Sequence, residues 1–220
     1  MLSVDLGRHA LDLVLDPTRP ATRPGDAGRV ELVPGSAHLW VQEEQLAARG
    51  RWRDGRETRW VEGVGFYKHQ WGRLYDPELD GFTWISMDLD AATSLSVAWL
   101  HDDGLRGVPG SMAWLSTEEG PVPLPVEALR LTPERVWRGR TGASWPVAWL
   151  LEGPGIELRV EALADDQELR VAPAPLHVGP ARARGELFGR PVDGVAFLEQ
   201  AGARVPPTRA LYRSDAPEAP

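Results

Sequence analysis

Glycine and proline interrupt this chain so often that no long helix fits between them. Its 220 residues include 23 Gly and 20 Pro, which fall between short apolar segments at intervals of roughly 8 to 12 residues, the spacing of an all-β sandwich or barrel. Alternation of apolar and polar side chains marks strands at Ala10–Leu15, Arg29–Val33, Ala37–Gln42, Ala47–Trp52, Thr58–Val64, Phe66–Trp71, Phe82–Leu89, Ser94–His101 and Ser111–Ser116. Further strands are predicted at Ala128–Leu131, Val147–Leu151, Ile156–Ala162, Glu168–Ala172, Pro180–Glu186 and Gly194–Gln200. Asp54-Gly55, Asp80-Gly81 and Asp103-Gly104 supply hairpin turns. Two segments read otherwise: Gln42–Arg49 holds helix formers ahead of Gly50, and Thr132-Pro133-Glu134 reads as a cap followed by Pro at a first helical position. Short helices against the barrel are predicted there, and a disordered tail over Ser214–Pro220.

A chain of this length buries a core without staples. It has no cysteine, which excludes disulfides, thiolate nucleophiles, iron–sulfur clusters and cysteine-based zinc sites. A net charge of -8 and a pI near 5.2 argue against a nucleic-acid surface, which needs clustered cations. No apolar run approaches the roughly 20 residues of a membrane helix, and Met1–Asp5 lacks the basic and apolar regions of a signal peptide. A cytoplasmic protein that is not integral to the membrane is expected.

The familiar catalytic signatures are missing. There is no G-x-S-x-G elbow, no Walker lysine and no H-E-x-x-H, and Gly63-x-Gly65 has no third glycine to make a dinucleotide fingerprint. The histidines at 9, 38, 69, 101 and 177 lack short ligand spacing, so neither a metal nor another cofactor is expected. The stretch richest in chemistry is Phe66-Tyr67-Lys68-His69-Gln70-Trp71-Gly72. On a strand, Tyr67, His69 and Trp71 share one face and Phe66, Lys68 and Gln70 the other. A phenol, an imidazole and an indole together suit the lining of a pocket that holds an apolar or cationic species near a proton donor. They also suit a core strand with a satisfied histidine at a barrel end. Lys68 is also the single lysine beside 23 arginines.

Ten tryptophans are the main compositional signal. Trp60, Trp71, Trp84, Trp99, Trp114, Trp137, Trp145 and Trp149 fall on different predicted strands, where they either fill a core or converge on a cavity. An indole face stabilises a nearby cation by about 0.5–2 kcal/mol. Strand Ser94–His101 aligns Leu95, Val97, Trp99 and His101, so His69 and His101 are expected to look into one space.

Several separated motifs resemble the AttH-like and carotenoid 1,2-hydratase (hydroxyneurosporene synthase) family. His69-Gln70-Trp71-Gly72 looks like that family's Asp-His-Gln-Trp-Gly, and Phe82-Thr83-Trp84 like its following aromatic strand. Thr141-Gly142-Ala143-Ser144-Trp145-Pro146 with Trp149 resembles Thr-Gly-x-x-Tyr-Pro-x-x-Trp, and Asp166-Gln167-Glu168-Leu169 matches Asp-Gln-Glu-Leu. The stretch Gly194 to Gly202, with Phe197, Leu198 and Glu199, resembles the closing Gly-Tyr-Val-Glu-Leu-x-Gly strand. Lys68 departs from the pattern by standing where the family has Asp, and Leu176-His177-Val178-Gly179 replaces a Tyr-Trp-Glu-Gly. The family's early Glu-Trp-Trp-Tyr signature is absent.

The resemblance implies two successive lipocalin-like barrels: a partial one over residues 1–75, a C-terminal one over 76–206, and a tail over 207–220. A partial barrel leaves strand edges that a homodimer would cover. It also implies cofactor-free chemistry in which an acid protonates a carbon–carbon double bond of a hydrophobic isoprenoid, aromatic rings hold the cation and water adds. By that reading His69, His101 or Asp102 is the proton donor, and Tyr67, Trp71, Trp84 and Trp99 line the ligand. The alternative is a non-catalytic lipocalin-like protein that binds a hydrophobic small molecule, such as a carotenoid, isoprenoid or lipid, with the same residues.

Overall fold

The computed structural model describes residues 1–33, 36–72, 81–102, 105–107, 110–171 and 174–202. It is an all-β, lipocalin-like assembly of two antiparallel sheets that pack against each other. The first sheet contains β1 (Leu2–Leu6), β2 (His9–Asp16), β3 (Arg29–Val33), β4 (Ser36–Asp54) and β5 (Glu57–Gly72). β4 is its spine: β5 runs along one edge, while β3 and β2 share the other, β3 on the N-terminal half and β2 on the C-terminal half. Asp54-Gly55 turns β4 into β5, with Gly55 at φ 61°, the backbone region that glycine enters without a Cβ penalty.

Two predicted strands, Thr58–Val64 and Phe66–Trp71, are one continuous β5. The predicted helix over Gln42–Arg49 is instead the middle of β4. Pairing with β5 overrides helix propensity there, and the conflict surfaces as a bulge between Glu43 and Leu46 with Gln45 at φ 52°. Thr132-Pro133-Glu134 likewise lies in a strand, and Pro133 sits beside the register shift that accommodates it. The only helical element among the described residues is a 3-10 turn at Val126–Ala128. Ser214–Pro220 lies outside the described residues.

The second sheet contains β6 (Gly81–Asp88), β7 (Ser94–His101), β8 (Met112–Thr117), β9 (Gly120–Leu124), β10 (Arg130–Arg138), β11 (Ser144–Gly153), β12 (Ile156–Ala162), β13 (Glu168–Leu169), β14 (Leu176–Leu187) and β15 (Arg190–Ala201). Its order is β10-β11-β12-β14-β15-β6-β7-β8-β9, with β13 paired to β14. The sheet curls around a core formed by alternate residues of these strands, including Ile85, Leu95, Val97, Trp99, Trp145, Trp149, Leu158 and Leu198. The intervening residues of β6, β7, β8 and β15 face the first sheet. There Val30 and Trp40 meet Trp84, Ala98 and Trp114, flanked by Phe66, Phe82, Met112 and Phe197. This seam between the sheets positions the candidate site.

Candidate functional site

Two openings lie along the seam, on either side of an aromatic cluster in which Phe66 makes tilted ring contacts 5.3 Å from Trp84 and 4.9 Å from Phe197. The first is a cavity of about 90 Å³ lined by His38 and Trp40 from β4, Lys68 and Gln70 from β5, Phe82, Thr83 and Trp84 from β6, Ala98 and Leu100 from β7, and Glu199 from β15. Lys68 forms an ion pair with Glu199 and lies 3.9 Å from the Trp84 ring centroid, in a cation–π contact. Burial lowers the pKa of His38 below the ordinary imidazole value, which favours the neutral ring.

The second opening is a cleft of about 380 Å³ lined by Val64, Gly65, Phe66, Ser86, Asp88, Pro180, Val195, Ala196 and Phe197. Asp88 follows Trp84 and Ser86 on the seam face of β6 and accepts a 2.6 Å hydrogen bond from Ser94. Burial pushes its carboxyl above the ordinary range, opposed by the Ser94 hydrogen bond and the charge of Arg19, and reinforced by Glu44. A carboxyl whose pKa burial raises, lining an apolar cleft together with Phe66 and Phe197, is a candidate general acid.

Behind the cleft a buried polar network ties the sheets together. Arg19 donates to the Ser116 carbonyl at 2.6 Å and to Gln45 Oε1 at 2.5 Å. Gln42 donates to Ser96 at 2.9 Å, and Trp114 donates its indole N–H to Glu44 at 2.9 Å. Both sheets supply partners, so the network fixes their mutual placement and with it the geometry of both openings.

The residues expected to form one pocket do not converge. Tyr67, His69 and Trp71 do share a face of β5, but it is the face turned away from the seam. Tyr67 is 46% and Trp71 44% exposed, and the three form a row in which Tyr67 Oη and His69 Nδ1 lie 3.1 Å apart and His69 packs 4.8 Å from Trp71. The reason is one of parity: packing Phe66 against Trp84 and Phe197 commits Phe66, Lys68 and Gln70 inward, and so their neighbours outward. By register the outward face continues through Leu39 beside Trp71, and through Val61, Leu13 and Leu2 further along the sheet. It is a largely apolar surface.

Trp99 and His101 are on the opposite face of the second sheet from Trp84. Trp99 belongs to the barrel core, covered by Gly107, and His101 is buried with Nδ1 3.2 Å from the Asp102 carbonyl oxygen. The Asp102 carboxylate accepts hydrogen bonds from the Arg106 backbone N–H at 3.0 Å and Nε at 2.9 Å. Of the seven expected residues, Trp84 alone lies in the seam. The seam-facing residues that sequence reasoning passed over include Phe66, Lys68 and Gln70, the alternate positions of the same strand, and Asp88 on β6; for β5 the lone lysine was the signal that could have found them.

Two of the family-like motifs meet in a structural cluster instead. Glu168 accepts from Thr141 Oγ1 at 2.5 Å, the Thr141 N–H at 3.0 Å and Trp145 Nε1 at 2.9 Å. This pins the turn before β11 to β13.

Comparison with known proteins agrees with this architecture. Among solved structures, a protein described as an AttH from Nitrosomonas europaea superposes with a TM-score of 0.76 at 26% identity, over 91% of this chain and 63% of that one. Kievitone hydratase from Nectria haematococca superposes with a TM-score of 0.72 at 20% identity, over 90% of this chain and 63% of that one. The chain thus spans less than two thirds of the length of either structure. No curated protein matches it. No helix among the described residues is long and apolar enough to cross a membrane. The family model AttH-like matches residues 1–203 of the 220, a span that takes in every described residue, and the protein belongs to the AttH-like family.

Proposed function

We propose that this protein is a hydratase-like enzyme that adds water across a carbon–carbon double bond of a hydrophobic, isoprenoid-type substrate in the apolar cleft of the seam. The observation that carries the reading is Asp88: a carboxyl whose burial favours the protonated form, at a cleft it shares with Phe66 and Phe197. Family membership and the presence of a hydratase among structures of the same fold support it. In the step envisaged, Asp88 transfers its proton to one alkene carbon, and the carbocation forms against the two phenyl rings. Water adds to the cation and its surplus proton returns to the Asp88 carboxylate, so no cofactor is consumed.

The test is incubation with acyclic carotenoids of the lycopene and neurosporene type and with prenylated aromatics, following product mass for the gain of one water. Asp88→Asn should lower the rate by about 10²-fold or more while circular dichroism stays unchanged. Absence of hydrated product across the panel, or full activity in Asp88→Asn, overturns the proposal.

The apolar outward face of the first sheet favours a second reading, a lipocalin-like protein that binds a hydrophobic small molecule without changing it. Tryptophan quenching without product, sensitive to Trp71→Ala rather than Asp88→Asn, would support that reading. A homodimer would cover the same face, and light scattering on the purified chain detects it.

A further inference from the structure

We infer that the smaller seam cavity is a binding site for the oxygen of a neutral, planar carbonyl compound. His38 and Trp40 are each 3% exposed and Trp84 is 2% exposed. Nevertheless both ring nitrogens of His38 and the indole nitrogens of Trp40 and Trp84 have no hydrogen-bond partner. All three residues line this one cavity. Buried polar groups are normally satisfied, so a cluster of unsatisfied ones around a void indicates what the void receives.

The chemistry of the donors narrows the ligand. An indole N–H can only donate, and a neutral imidazole donates from one nitrogen, so the cavity offers an excess of donors to a group that accepts. Lys68 and Glu199 neutralise each other, which leaves the cavity without net charge to hold a carboxylate or an ammonium. Phe82, Ala98, Leu100 and the indole rings supply flat apolar surface. A volume of about 90 Å³ exceeds what a single water needs and suits a carbonyl with part of a ring. A conjugated ketone fits these requirements; an unsubstituted hydrocarbon leaves the donors unpaired, and an anion brings an uncompensated charge.

The experiment is a titration of the whole chain with cyclohexenone, cyclohexene and benzoate, read from the tryptophan indole N–H resonances by proton–nitrogen NMR. Trp40→Phe and Trp84→Phe assign two of these signals. Cyclohexenone is expected to move both downfield in a saturable manner, with cyclohexene and benzoate each at least about tenfold weaker, tenfold being about 1.4 kcal/mol. Trp40→Phe, which keeps an aromatic ring and removes the donor, should weaken cyclohexenone by about tenfold and leave cyclohexene unchanged. Equal binding of cyclohexene and cyclohexenone, tighter binding of benzoate, or no shift with any probe overturns the inference. If a Phe variant fails to fold, the ranking of the three probes on the unmodified chain still decides. No turnover is involved, so the result stands apart from the Asp88 proposal: loss of hydration with cyclohexenone binding intact defeats only that proposal, and the reverse defeats only this one.

Discussion

Among the described ion pairs, Lys68–Glu199 alone joins the two sheets, and its side chains retain only 16% and 21% of their exposure. Replacing Lys68 with Met removes the charge and keeps most of the aliphatic bulk, leaving Glu199 beside apolar surface with no partner. Breaking a fully buried pair costs about 3–5 kcal/mol. With about a fifth of each side chain still exposed, the cost falls to the bottom of that range or just below it, about 2–3 kcal/mol, including the lost contact with Trp84. For a chain of this size that corresponds to a fall in Tm of roughly 4–12 °C. Glu199→Gln should cost about 1–2 kcal/mol, and the double variant should recover to within about 1 kcal/mol of the parent, because both uncompensated charges are gone. Urea denaturation of all four proteins closes the cycle, with an expected coupling of at least about 2 kcal/mol. Additive single effects, within about 0.5 kcal/mol, or a coupling abolished by high salt would refute the argument, since either places the pair in solvent.

Other predictions concern parts of the fold that frame the site. Burial by itself pushes the Glu168 carboxyl up, but hydrogen bonds from Thr141 and Trp145 outweigh it and hold its pKa below the ordinary value. Its stabilisation is therefore present above the unfolded pKa and lost as pH falls through the folded one. Glu168→Gln should cost about 1.5–3 kcal/mol near neutrality, with the difference from the parent shrinking in acid; a pH-independent difference would contradict this. In Gly50→Ala the new Cβ would fall on the Asp12 carbonyl oxygen and 2.9 Å from Leu13 Cα. Opening the β2–β4 pairing should cost about 1–3 kcal/mol or more, measured by thermal denaturation. Trp71→Ala, on the outward face, should cost under about 1 kcal/mol, against about 3–5 kcal/mol for Trp84→Ala in the seam. Equal costs would reverse the assignment of faces.

Alternation and punctuation made the strands legible, because a strand's period of two is written into side-chain polarity. They failed at Gln42–Arg49, where a run of Gln, Glu, Leu and Ala reads as helix and only pairing with β5 makes it strand. Alternation also separated Tyr67, His69 and Trp71 correctly from Phe66, Lys68 and Gln70. It could not tell which set turns inward, since both contain aromatic residues. Asp88 escaped notice among the many carboxylates of a turn-rich acidic chain, because its distinction lies in burial against another sheet rather than in any local pattern.

The amino-acid sequence alone determined the all-β class, the exclusion of cysteine chemistry and the family motifs, all of which rest on local composition and spacing. Tertiary structure alone decided that the candidate site lies on a seam between sheets, that Lys68 meets Glu199 131 positions away, and that the conspicuous His69 and Trp71 face outward. Such pairings depend on how two curled sheets pack, a long-range choice that minimises exposed apolar area and buried unpaired charge over the whole chain rather than within any segment of it.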